Sequence, residues 1–224
     1  MCGRFSLITA DKETLRQRFK ANKVKAEVSR RYNIAPFSTI PVILNTSPET
    51  ILEARWGFLP RWATAAGICA KAMINARTET IAVKPFFKQA FRSQRCLIPA
   101  DGFYEWQGVG RMKRPFRVTL KSEGLFAFAG IWDQWSDGQT ELITCAIITT
   151  DANELMRPIH ARMPVILTEE SEQVWLETKE LRDAADLLRP YDPAEMIAYE
   201  IGTAINVPAN DYPGIIRSVE EKKG

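Results

Sequence analysis

A mixed α+β domain, with a strand-dominated, pseudo-barrel core and peripheral helices, is the fold this sequence predicts, on three observations. Four apolar, β-rich segments follow one another between residues 96 and 149, punctuated by Gly108-Val109-Gly110 and Ser136-Asp137-Gly138, which is the spacing of paired strands. Helical periodicity is confined to short stretches on either side of that block. No repeat, low-complexity tract or linker divides the 224 residues, a length that suits one large domain over 1–224.

Taken in order, Thr9 or Asp11 can cap a short helix in which Leu15 and Phe19 recur at a four-residue step, ending near Ala21-Asn22. Thr39 to Leu44 reads as a strand that Pro41 confines to an edge or a strand start. The turn Asn45-Thr46-Ser47-Pro48 leads to the next strand, Ile51 to Phe58, and Pro60, Ala63 to Ala66 and Gly67 mark a loop. Pro85 to Arg92 is a helix opened by proline and carrying Phe86, Phe87 and Phe91. Cys96 to Trp106, Phe116 to Leu120, Leu125 to Trp132 and Leu142 to Thr149 then make a meander. Asp151 to Met156 suits a helical turn and Met163 to Leu167 a strand, and Thr168 caps a helix containing Val174-Trp175-Leu176. Leu181, Ala185 and Leu188 mark a further helix, Met196 to Ile201 returns as a strand, and a tail begins at about residue 207.

The hydrophobic fraction of 46% and charged fraction of 25% exclude general disorder. No apolar run reaches the ~18 residues of a membrane span, and no secretory signal is visible, so a cytoplasmic protein without a membrane partner is expected. Cys2, Cys69, Cys96 and Cys145 contain no C-x-x-C pair, and His160 is the only histidine. That inventory fits reduced thiols and speaks against a zinc site, so neither metal nor cofactor is expected. A formal charge of +3, from 30 basic and 27 acidic residues, does not by itself mark a nucleic-acid binder. Basic residues do gather at Arg30-Arg31, Arg55, Arg61, Arg77, Arg92, Arg95, Arg111 to Arg114, Arg157 and Arg162, which is a binding patch or a solvated face.

The chemistry begins at Met1-Cys2-Gly3-Arg4-Phe5. If Met1 is trimmed, Cys2 presents an amine and a thiol on adjacent carbons. The amine condenses with an aldehyde to an imine, and the thiol can close onto the imine carbon as a five-membered thiazolidine. A cysteine deeper in a chain cannot do this, because its nitrogen is an amide. The plainer reading of position 2 is a buried small hydrophobe.

Three further residues qualify. Glu105 lies among Phe103, Tyr104 and Trp106, where burial raises a carboxyl's pKa and makes it a proton donor near neutrality; the alternative is a Glu on the solvent face of a strand. His160, in Pro158-Ile159-His160-Ala161-Arg162-Met163-Pro164, can shuttle protons or serve as a hydrogen-bonded core histidine. Asn75 offers an uncharged donor and acceptor suited to an amine, and Arg77 emerges on the same side of an extended segment; a turn Asn and a surface Arg are the bland account.

Together the segments MCGRF, YNIAP (32–36), WGFLPRW (56–62), INARTET (74–80), RCLIPADGFYEW (95–106) and IHARMPVIL (159–167) resemble the SRAP family, the SOS response-associated peptidases or abasic-site processing proteins. The match runs from residue 2 to about 167 in order, with one departure, Ala161, where the family often carries Asp. The resemblance implies capture of abasic sites in single-stranded DNA through a thiazolidine crosslink that shields the lesion. Cys2 is then the nucleophile, Asn75 holds its amine, and Glu105 and His160 move protons. It further implies a largely sequence-blind grip on the strand. Arg4, Arg77 and Arg162, with Asn33 and Thr149 as neutral donors, would hold phosphates, and Pro36 and Trp62 would wedge or stack against bases. Self-removal of Met1, a monomeric state and reversal of the crosslink or strand cleavage at the imine belong to the same expectation. An N-terminal-nucleophile cysteine peptidase or amidohydrolase, and a passive DNA-binding module, are the rival readings.

Overall fold

The computed structural model describes residues 2–8, 11–63, 72–110 and 112–220. Thr9, Gly67, Cys69 and Arg111, named above, lie outside the described residues, as does Met1.

In chain order the first part comprises β1 (Phe5–Leu7), α1 (Lys12–Arg18), β2 (Lys23–Val24), β3 (Arg31–Ile34), β4 (Thr39–Leu44) and β5 (Ser47–Trp56). A short β6 (Asn75–Arg77), α2 (Thr78–Ile81) and α3 (Pro85–Ser93) lead to β7 (Arg95–Ala100), β8 (Gly102–Val109), β9 (Met112–Leu120), β10 (Phe126–Ser136) and β11 (Glu141–Asp151). Next come β12 (Arg162–Pro164), β13 (Ile166–Leu167), α4 (Glu169–Glu177), α5 (Leu181–Asp186) and β14 (Met196–Glu200). Asp11 caps α1 by accepting from Thr14 N at 2.7 Å, and Thr168 caps α4 by accepting from Ser171 N. Helix α1 stops short of Ala21-Asn22 because Lys20 turns left-handed at φ +52.

Two sheets organise the strands. In the larger, β5 pairs with β4, β4 with β7, β7 with β10 and β10 with β11, all antiparallel; a parallel contact of Thr144 with Arg55 and Cys145 with Trp56 returns β11 to β5. Those five strands therefore close on themselves, the barrel core expected from the sequence, and closure removes the exposed edges an open sheet would carry. The smaller sheet runs β14-β9-β8-β1-β3. Aromatic rings join the two: Phe5 of β1 stands edge-on to Trp56 at 5.2 Å and to Phe128 at 5.7 Å.

The expected meander is instead two hairpins in different sheets. The segment Cys96 to Trp106 divides at Asp101: β7 joins the barrel, whereas β8 crosses to the smaller sheet. Asp101 holds the crossing by accepting from Ser6 Oγ at 2.7 Å and from the Ile8 amide, with Arg117 at 3.5 Å. Pro41 lies inside the barrel rather than at an edge, yet the ladder from β4 to β7 begins only at Ile43, so its missing N–H interrupts no bond there. Asp151 extends β11, and the helical turn follows it, with Arg157 N bonding Asn153 O and His160 N bonding Met156 O. Beyond β14, Ile201, Ile205 and Ile215 bury themselves against Tyr104.

Candidate functional site

Cys2 lies between the two sheets and is fully buried. Its place follows from register. Phe5 pairs with Phe103 and Ser6 with Gly102, and Tyr104 N donates to Arg4 O at 3.0 Å, so continuing the antiparallel ladder brings Gly3 opposite Glu105. From the other sheet, β6 runs parallel to β11 with Asn75 against Ile147. Trp56 fixes that strand, its buried indole N–H donating to Ile74 O at 2.9 Å. Asn75 then donates from Nδ2 to the Cys2 carbonyl at 2.8 Å. Asn75 Oδ1 is buried and has no hydrogen-bond partner among the described residues.

The electrostatics follow from burial. Desolvation pushes the Cys2 thiol far above its usual range, and the nearby Glu105 charge pushes it further. The thiol is therefore a neutral donor, 3.7 Å from Arg4 O. Glu105 is only 3% exposed, and burial raises its carboxyl against the opposing charges of the chain's amino terminus and His160. His160 Nδ1 lies 3.0 Å from the Arg162 amide N and 3.2 Å from the Arg162 carbonyl O, contacts that orient the ring. The arrangement gathers a neutral thiol, a carboxyl biased toward its acid form and an unfilled amide acceptor at Cys2, with the His160 imidazole beside Glu105.

Two cavities open onto these groups. One, of about 370 Å³, is lined by Glu105, Trp106, Lys113, His160 and Asn206. The other, of about 350 Å³, runs past Ala72, Met73, Asn75, Arg77, Lys84 and Phe87.

The remaining sequence candidates divide. Arg77 is exposed at the end of β6, and Trp62 is 64% exposed, edge-on to Phe86 at 5.8 Å. Pro36 is half-buried in the loop after β3. Arg4 donates to Asn33 Oδ1 at 2.8 Å and Ile205 O at 2.9 Å. Asn33 is buried and spends its amide on the carbonyls of Ile205, Val207 and Asn210. Arg162 is held by Glu79, by Asp151 at 2.8 Å and by Thr149 O at 2.6 Å. Thr149 is fully buried, with a hydroxyl that has no partner among the described residues. Sequence reasoning passed over Asn206, whose Oδ1 accepts the Trp106 indole N–H at 2.7 Å, and counted Lys113 only within the basic run 111–114. The β8–β9 hairpin puts Lys113 across from Gly108, a register the Gly-Val-Gly turn alone could have suggested for Lys113.

Comparisons with known proteins identify the family. The family model "SOS response associated peptidase (SRAP)" matches residues 1–208. The chain is similar to abasic site processing protein YoqW of Bacillus subtilis, 44% identical over 97% of this chain and all of that protein. It is also similar to abasic site processing protein HMCES of Xenopus tropicalis, 31% identical over 86% of this chain and 68% of that one. A crystal structure of a Bacteroides thetaiotaomicron protein superposes with a TM-score of 0.86 at 31% identity, covering 97% of this chain and 100% of that one. A Bordetella bronchiseptica protein superposes with a TM-score of 0.80 at 27% identity, covering 90% and 100% respectively. On the extent of that family match and the identity to YoqW, this chain belongs to the SRAP family.

Proposed function

We propose that this chain processes abasic sites in single-stranded DNA by forming a thiazolidine crosslink through the amine and thiol of Cys2 once Met1 is removed. The observation that carries this reading is the buried Asn75 Oδ1, an acceptor without a partner beside the backbone of Cys2. A Cys2 amine supplies the missing donor. Relatives named abasic site processing proteins support the substrate class.

The chemistry can be written with its protons balanced. An abasic sugar is mostly a closed hemiacetal. Protonated Glu105 donates to the ring oxygen while His160 takes the proton of the anomeric hydroxyl, and the aldehyde is released. The Cys2 amine adds to the aldehyde carbon, and the carbinolamine loses water to give an imine. Sγ then adds to the imine carbon, and its proton ends on the ring nitrogen, so one water leaves overall and nothing is oxidised. Docking of the strand makes the first addition effectively intramolecular. Arg77 and Lys84 line the second cavity and provide positive charge along the path a strand would take.

The test uses untagged protein, whose intact mass reports whether Met1 has been removed, mixed with single-stranded DNA carrying one abasic site. A heat-stable shifted band is expected with that strand and not with intact DNA. Cys2→Ser should leave only an imine trapped by borohydride, and an extra residue before Cys2 should abolish the stable product. Crosslinking by Cys2→Ala at the native rate would overturn the mechanism. Peptide hydrolysis without any DNA adduct would favour the amidohydrolase reading instead.

A further inference from the structure

Phe37 combines two costly features. Its backbone is left-handed at φ +70, a conformation that glycine adopts freely and a bulky residue does not. Its side chain is 46% exposed, whereas Phe58 and Phe87 nearby are buried. A residue that neither fits its backbone nor fills the core is retained for something else it does.

The ring is firmly held. Phe37 N donates to Trp56 O at 2.7 Å and Trp56 N to Ser38 O at 2.9 Å, clamping the loop to the end of β5. A β-carbon on Gly57 would stand 2.8 Å from Phe37 Cδ1, so the glycine makes room for the ring. The Arg55 guanidinium lies over the ring, 5.6 Å from its centroid. The same virtual β-carbon on Gly57 would be 3.6 Å from that of Ala72, the residue at which the Asn75 cavity begins. Gly57 thus separates Phe37 from Ala72, which lines the cavity that holds Asn75, Arg77 and Lys84.

We propose that Phe37, backed by Arg55, is a stacking shelf for an unpaired nucleobase flanking the lesion. The inference rests on the strand-binding reading above and adds to it a subsite that grips a base rather than a phosphate. The positive charge of Arg55 over the ring, and of Arg77 and Lys84 in the cavity beyond Ala72, suits a polyanion. A rigid ring with an open surface suits a base that has lost a stacking neighbour, and any of the four bases would serve.

The experiment measures fluorescence anisotropy of a labelled, intact single strand, which cannot crosslink, with native protein, Phe37→Gly and Phe37→Trp. Phe37→Gly relieves the left-handed strain, so it should melt no lower than the native protein while binding about fivefold or more weakly, the low end of a lost base stack. The salt dependence should keep its slope, since no phosphate contact is lost, and Phe37→Trp should bind like the native chain. On a strand made entirely of baseless spacers, native protein and Phe37→Gly should bind alike. Binding of the intact strand by Phe37→Gly within twofold of native, or an equal loss on the baseless strand, overturns the shelf. Failure of the native protein to bind any intact single strand would remove the strand-binding reading itself, and the shelf with it.

Discussion

A carboxyl enclosed beside a thiol and away from water is held most easily with its proton on, and Glu105 follows that rule. Its folded pKa is raised, so the folded state binds more protons than the unfolded chain between the ordinary carboxylate value and the raised one. Stability therefore falls as pH rises through that window. Glu105→Gln, neutral throughout, should match the native melting temperature near pH 4 and exceed it near pH 8, as thermal melts across about that range would reveal. The same substitution removes the proton donor, so crosslinking should slow by about a hundredfold and lose its decline at alkaline pH. Asn75→Ala should cost about 1 kcal/mol in urea unfolding, the net worth of its bond to the Cys2 carbonyl. If the amide also orients the amine, its crosslinking rate should fall far more than that loss of stability explains. The sequence left Glu105 open between a buried acid and one on the solvent face of its strand, because aromatic neighbours within one strand do not say which face another element covers. The internal commitments of Asn33 and Arg162 were not legible, since their partners are residues 205–210 and Glu79, remote in the chain.

Single elements set these residues in place, and the crossing at Asp101 matters most. There one apolar run becomes two strands of different sheets, β7 in the barrel and β8 carrying Glu105. Local pattern could not reveal the division, because both halves alternate like ordinary strands and only the partners differ. Asp101→Ala would leave the Ile8 amide and the Arg117 guanidinium buried with fewer acceptors. Removing one partner of a buried ion pair costs ~3–5 kcal/mol, so the urea midpoint should drop sharply, whereas Asp101→Asn should lose less. The Pro85 helix, the Asp11 and Thr168 caps and the two Gly-marked hairpins were all readable, since each rests on contacts within a few residues. β1, β3 and β6 were not, being three to four residues long and defined only by their neighbours.

At the level of the molecule, the segment after β14 ties the site's rim to the remainder. Asp211 accepts from Arg31 Nε at 2.6 Å and from the Asn33 amide at 3.1 Å, and Asn206 steadies Trp106. Asp211→Ala should loosen β3 and raise hydrogen exchange at Tyr32 and Asn33, a local effect that leaves the barrel amides protected. The barrel itself depends on one parallel seam, Thr144 and Cys145 against Arg55 and Trp56, almost ninety residues apart in the chain. Such a seam forms late and slowly, because loop closure must precede any reward from the contact. Asn75 reaches the Cys2 carbonyl from β6, which Trp56 of the seam holds through the Ile74 carbonyl, so the enclosure of Cys2 and its sulfur is finished only when the seam is zipped. An unzipped intermediate leaves that sulfur open to an alkylating reagent, and pulse-labelling of Cys2 during refolding becomes a clock for the final stitch.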